Sequence, residues 1–304
     1  MHDEFFKLNN EETWVSLNSK EQEKIALKVN DHLGNDFTLE YAMKYDENIN
    51  LNIFSFRHEK SGIVFNLIPG GTFTMGLSEA EKDTLLKLIS LEELQSIRFN
   101  ISEMEPSHSV SIPPFLCSRF PILEEEVDKL IEIDYSVDCP EFGGRNDLDI
   151  PQYLSFSDIN KILDITKYRL LSEAEWEYVY RAGTKTLFYS GDKRPNRKIA
   201  KGLCLSVFDN KTLTNQNSNR FGLAGLSIGE LCEDSWHNNY IGAPQDGKPW
   251  ITNNKSKQVV RGGAGALWPW QDAQEWLLLL SAFRMPIDRL EFPSCGMRLS
   301  ISLM

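Results

Sequence analysis

The strongest constraint on this chain is a helix whose start is spelled out in the residues. Ser172-Glu173-Ala174-Glu175 is a capping box. The Ser172 hydroxyl can accept from the backbone N–H near Glu175, and the Glu175 carboxylate can reach back to the cap N–H. The helix runs on through Trp176-Glu177-Tyr178 and ends at Ala182-Gly183.

Other elements follow from periodicity and turn chemistry. Ser19 with Gln22 predicts a second capped helix, with Ile25, Ala26, Val29 and Leu33 on one face and Gly34 at its end. Residues 49–56 alternate as a strand, through Ile49, Leu51 and Ile53. From residue 62 the style changes. A strand over 62–68, the turn Pro69-Gly70-Gly71 and an extended run over 72–76 precede a helix capped by Ser78 and Glu81. Helices are expected near 91–97, over 123–132 with Val127, Leu130 and Ile131 inside, and from Ser157 with Ile159, Ile162, Leu163 and Thr166 inside. Beyond 184 the chain reads as turns and short strands, among them 257–261 and 297–302. The division is a helical N-terminal extension over 1–58, either a small accessory domain or packing for the main body, and one domain over 59–304.

Bulk properties exclude several classes. Hydrophobic residues make up 41% and charged residues 25% of the 304, so a core is assured and a disordered chain is not in question. A net charge of -12 repels phosphate backbones and anionic membranes alike. The one basic cluster, Lys193, Arg194, Arg197, Lys198 and Lys201, reads as a solvated loop, so no nucleic acid is expected. The longest apolar run, Trp276 to Leu280, falls far short of the roughly 20 residues a membrane span needs. The N-terminus has no apolar signal-like region. Cys117, Cys139, Cys204, Cys232 and Cys295 are odd in number, widely spaced and without a CxxC. That argues against a disulfide framework or structural zinc and makes the cytoplasm the expected compartment.

Several segments together resemble the formylglycine-generating (sulfatase-modifying) family. They are Ile68 to Gly76, the Ser155-Phe156-Ser157-Asp158 helix entry, Tyr168 to Tyr178, Phe188 to Asp192, Asn219 to Leu223, Cys232 to His237 with Tyr240 and Gly242-Ala243-Pro244, Val259-Val260-Arg261-Gly262-Gly263, and Cys295 to Arg298. They occur in the family's order over residues 62–304. The resemblance implies an α+β, loop-rich, C-type-lectin-like fold.

It also implies chemistry that this chain departs from. The family oxidises a substrate cysteine with two cysteines after Arg-Gly-Gly and a copper ion held by thiolates, which are soft ligands for Cu(I) and nucleophiles for mixed disulfides. Here residues 264–276 hold no cysteine. A related branch uses iron held by histidines, but His2, His32, His58, His108 and His237 show no i, i+4 pair. The family's calcium loop is two residues shorter here. Glu230 matches its carboxylate, either as a metal ligand or as an internal partner for an arginine, while Gly229 and Leu231 replace its tryptophans. One carboxylate is a poor calcium cage.

What stands in the thiol segment is aromatic: Trp268, Trp270 and Trp276, interleaved with Gln271, Asp272, Gln274 and Glu275. Relatives line their substrate groove, or bind ligands, through this segment. Tryptophan supplies large contact area and one N–H donor. The rings serve either as such a surface or as core filling. The expected ligand-binding residues are Trp268, Trp270, Gln271, Asp272, Trp276 and Arg284, with Glu230 as the candidate metal residue. The leading reading is a family member without cysteine oxidase activity that binds a protein or peptide. The alternative is a metal- and oxygen-dependent oxidoreductase with relocated ligands.

Overall fold

The computed structural model describes residues 5–97, 99–132, 153–194, 218–226, 228–252, 257–263, 275–288 and 294–303. Its first helices are α1 (Glu11–Ser16) and α2 (Ser19–Leu33). The cap of α2 lies one residue earlier than Ser19. Asn18 accepts from the Lys20 and Glu21 N–H groups, and Glu21 closes the box. Gln22 is thereby free to turn inward, where its side chain donates to the Trp14 and Asn50 carbonyls. Gly34 ends α2 at φ 85°, as expected.

Two strands follow, β1 (Phe37–Met43) and β2 (Ile53–His58). The strand expected from residue 49 starts only at Ile53. The amides of Asn50 and Asn52 hold the helices instead, Asn50 on the Val15 and Leu17 carbonyls and Asn52 on Gln22. Then come β3 (Val64–Ile68), β4 (Gly71–Met75), α3 (Glu79–Leu88), α4 (Leu91–Ser96), β5 (His108–Ile112), β6 (Phe115–Ser118), α5 (Glu124–Asp128) and β7 (Leu154–Ser155). Helix α6 (Phe156–Thr166) is capped by Ser155, not Ser157, because Asp158 at its third position exchanges hydrogen bonds with the Ser155 hydroxyl. The rest are β8 (Arg169–Leu170), α7 (Glu173–Arg181), β9 (Glu230–Ser235), β10 (Lys257–Arg261), β11 (Arg284–Asp288), β12 (Ser294–Cys295) and β13 (Leu299–Ser302).

A six-stranded antiparallel sheet runs β1-β2-β3-β6-β13-β8. A three-stranded sheet, β11-β10-β9, and the pairs β12-β7 and β4-β5 complete the β structure among the described residues. The fold is α+β, as expected. β1 and β2 of the N-terminal extension lie in the large sheet, and Trp14, Ile25, Ala26 and Val29 share one buried cluster with Phe56, Phe65 and Leu116. A second cluster joins Leu85, Leu94 and Met104 to the run Trp276 to Leu280.

Candidate functional site

Helix α7 joins the two halves of the site. Its capping box forms as expected, with Ser172 and Glu175 each accepting from the other's N–H. Every residue of α7 is buried, so its charges must find partners inside. Four-residue spacing sets Glu173, Glu177 and Arg181 on one face. Arg181 bonds Glu177 at 2.8 Å and Glu81 at 2.7 Å.

The opposing charges come from the small sheet. Arg261, at the end of β10, lies directly opposite Arg284, at the start of β11. Facing like charges repel, and the α7 carboxylates offset that. Glu173 takes Arg284 with both oxygens at 2.7 Å and Arg261 at 3.2 Å, while Glu177 takes Arg261 at 2.6 Å. Tyr240 donates to Glu173 at 2.8 Å, and Arg284 lies between the Trp236 and Tyr240 rings, 4.4 Å from each centroid. Burial works against ionising Glu177, but Arg181 and Arg261 outweigh it and hold its carboxyl below the usual range. Three carboxylates (Glu81, Glu173, Glu177) meet three guanidiniums (Arg181, Arg261, Arg284), so the cluster is internally neutral. Asp234 borders it, accepting from the Glu173 and Trp250 N–H groups, and burial, then Glu173, pushes its carboxyl up to about 7.

This cluster fixes the base of the tryptophan-rich segment. Arg261 precedes that segment and donates to the Ser281 and Ala282 carbonyls beyond it, at 2.8 and 3.2 Å. Gly262 must be glycine. Its φ is 73°, and a Cβ there would come 2.3 Å from the Ile228 carbonyl oxygen.

The sequence-predicted site residues separate. Arg284 is 2% exposed and serves the buried cluster. Trp276 is 3% exposed and packs on Phe188, with the Arg194 guanidinium 4.9 Å from its ring centroid. Both are placed inside, not on an open surface. Trp268, Trp270, Gln271 and Asp272 lie outside the described residues.

Glu230 sits at the start of β9 and has the arginine partner that the sequence left open. Arg298 grips both oxygens, at 2.9 and 3.0 Å, and the Trp176 indole adds a third bond at 2.9 Å. Arg298 also donates to the Ser118 and Ala224 carbonyls. A calcium ion at Glu230 would have to displace a buried guanidinium, so the donor set does not fit one. No group of three or more His, Cys, Asp or Glu side chains suited to a metal occurs among the described residues.

The described thiols are equally closed. Cys117, Cys232 and Cys295 are free and fully buried. Burial pushes Cys117 and Cys295 up to about 12 and Cys232 well above its ordinary value. Thiolate is the form that attacks disulfides and binds copper, and these sites suppress it. Cys139 and Cys204 lie outside the described residues.

A family model, the sulfatase-modifying factor enzyme 1-like domain, matches residues 56–299. The chain belongs to this family. Among solved structures, this sulfatase-modifying-factor-like chain is similar to PvdO from Pseudomonas aeruginosa, at 22% identity and TM-score 0.56, over 88% of this chain and 99% of that one. It is also similar to Treponema denticola variable protein 1, at 14% identity and TM-score 0.51, over 78% and 94%. These likenesses concern the fold. No curated protein matches the chain. None of the described helices is long and apolar enough to cross a membrane.

Sequence reasoning missed Arg119. It is 8% exposed, and both its terminal nitrogens donate to the Tyr41 hydroxyl. A signal was present: Arg119 is the one charge in the run Phe115 to Leu123.

Proposed function

We propose that this sulfatase-modifying-factor-like domain does not oxidise cysteine and works as a binding module for a protein or peptide, through the segment between Gly263 and Glu275. The observation that carries this is the tie from Arg261 to the Ser281 and Ala282 carbonyls, which joins the strand before that segment to the chain beyond it at a buried, neutral charge cluster. A segment held this way between rigid elements is a natural place to display a recognition surface. Its composition supports the same reading. Trp268 and Trp270 flank Pro269, followed by Gln271 and Asp272, with no thiol in the segment. Aromatic anchors bordered by polar groups are the usual make-up of interface hot spots. The buried described thiols support the loss of oxidation. The odd cysteine count supports a reducing compartment, the cytoplasm.

The test is selection of a displayed random-peptide library on the purified protein, followed by affinity measurement of the enriched peptides. Enriched peptides should bind the parent and lose about tenfold or more on the double change Trp268→Ser, Trp270→Ser. No enrichment, or equal binding by the double variant, would overturn the reading.

A further inference from the structure

A cleft of about 370 Å³ opens where β1, β2 and β3 meet α5, and Arg119 lines it. Its volume falls within the usual range for small-molecule sites. Its charged groups are Glu40, Arg57, Arg119, Glu125, Glu126 and Lys129. Arg57 pairs with Glu40 and also bonds the Gly62 carbonyl, and Lys129 pairs with Glu125 at 2.8 Å. Glu126 accepts from the Leu123 N–H at 3.0 Å. Arg119 therefore has no carboxylate within ion-pair reach among the described residues.

That is an unusual condition for an arginine more than nine-tenths buried. Its Nε is sealed from solvent and has no partner among the described residues. A buried guanidinium stays charged, and with only the longer-range pull of Glu40 and Glu126 to offset burial, that charge is costly. Its Cζ lies over the Tyr41 and Phe120 rings, 5.2 and 5.6 Å from their centroids. The Tyr41 hydroxyl accepts from Arg119 and keeps its own hydrogen to donate. Ile63, Val64 and Leu123 add apolar wall.

We propose that this cleft binds a small monoanionic carboxylate with an apolar body, held by Arg119 and the Tyr41 hydroxyl. A carboxylate that displaces the Tyr41 hydroxyl from between the two terminal nitrogens would meet the planar arginine fork two-pronged, and the hydroxyl would turn to donate to it. The apolar wall and the two rings accommodate the body. The cleft's cations (Arg57, Arg119, Lys129) and glutamates (Glu40, Glu125, Glu126) largely cancel, so the desolvation cost, which rises steeply with ligand charge, favours a monoanion over a dianion. The site lies apart from the Arg261–Glu173 cluster and does not depend on the peptide-binding reading.

The experiment uses benzoate, phenyl phosphate and benzyl alcohol as probes on the whole chain, read by saturation-transfer NMR and titration. Benzoate should bind, benzyl alcohol should not, and phenyl phosphate should bind more weakly than benzoate. Arg119→Met should weaken benzoate by about tenfold or more, with the fold checked by circular dichroism. If the methionine variant does not fold, Arg119→Lys, which keeps the charge and loses the fork, should weaken benzoate in the same direction. Failure of benzoate to bind the parent, undiminished binding by the folded variant, or tighter binding of phenyl phosphate would each overturn the proposal.

Discussion

Glu173 and Arg284 meet in a two-pronged ion pair, both contacts at 2.7 Å, with both side chains almost wholly enclosed. The pair joins the first turn of α7 to the first residue of β11, and Arg261 shares the same carboxylate. Removing one partner strands the other charge in a medium that solvates it poorly. Arg284→Met and Glu173→Gln should each cost about 3–5 kcal/mol in urea denaturation. The double variant should cost less than the sum, since the stranded charge is then partly relieved. A loss near zero for either single change would refute the role given to the cluster.

Glu230 leads to a prediction about metal. Its oxygens are committed to Arg298 and the Trp176 indole. Millimolar calcium should leave the thermal midpoint unchanged, whereas a site binding the folded state would raise it. Glu230→Gln should destabilise the protein in buffer without calcium, because Arg298 then lacks its counter-charge.

The described cysteines should be inert in the folded protein. With Cys117 and Cys295 pushed up to about 12, and Cys232 raised well above its ordinary value by burial, iodoacetamide at about pH 8 should leave all three unmodified. The same treatment in urea should label them. Site-resolved mass spectrometry decides this, and labelling of any of the three in the native protein would contradict the burial described.

How much of this was legible beforehand depended on range. The α7 cap is local, and Ser172 with Glu175 spelled it out. At α2 and α6 the sequence points one and two residues past the true cap, because a neighbouring serine competes with Asn18 or Ser155 for the same local signal. The charge cluster was not legible at all. Glu173 and Glu177 find Arg284 and Arg261 only after the chain has folded back from β10 and β11. The sequence marks Arg284 as a ligand residue, whereas its guanidinium faces inward onto Glu173. The core role of Trp276 was one of two open readings, and its neighbours Phe188 and Arg194 come from a distant turn.

Glu126 carries a pH dependence. Burial pushes its carboxyl from 4.5 up to about 7, partly offset by its bond from the Leu123 N–H. The folded state therefore holds this proton more tightly than the unfolded chain does. Its contribution is fully present below about 4.5 and is lost as pH rises toward about 7. Glu126→Gln keeps an accepting oxygen for Leu123 and cannot ionise. Relative to the parent, the variant should gain stability across that window and hold the gain above it. Denaturation midpoints measured across the window check this, and a difference between the two proteins that does not change with pH would contradict it.

The central claim is that the family scaffold persists here without the family's thiol chemistry. Its most direct test is incubation of the purified protein with copper, oxygen and a cysteine-containing sulfatase peptide, with the peptide mass read over time. The account predicts no formylglycine above the protein-free control. Its formation in proportion to the protein added would contradict the account.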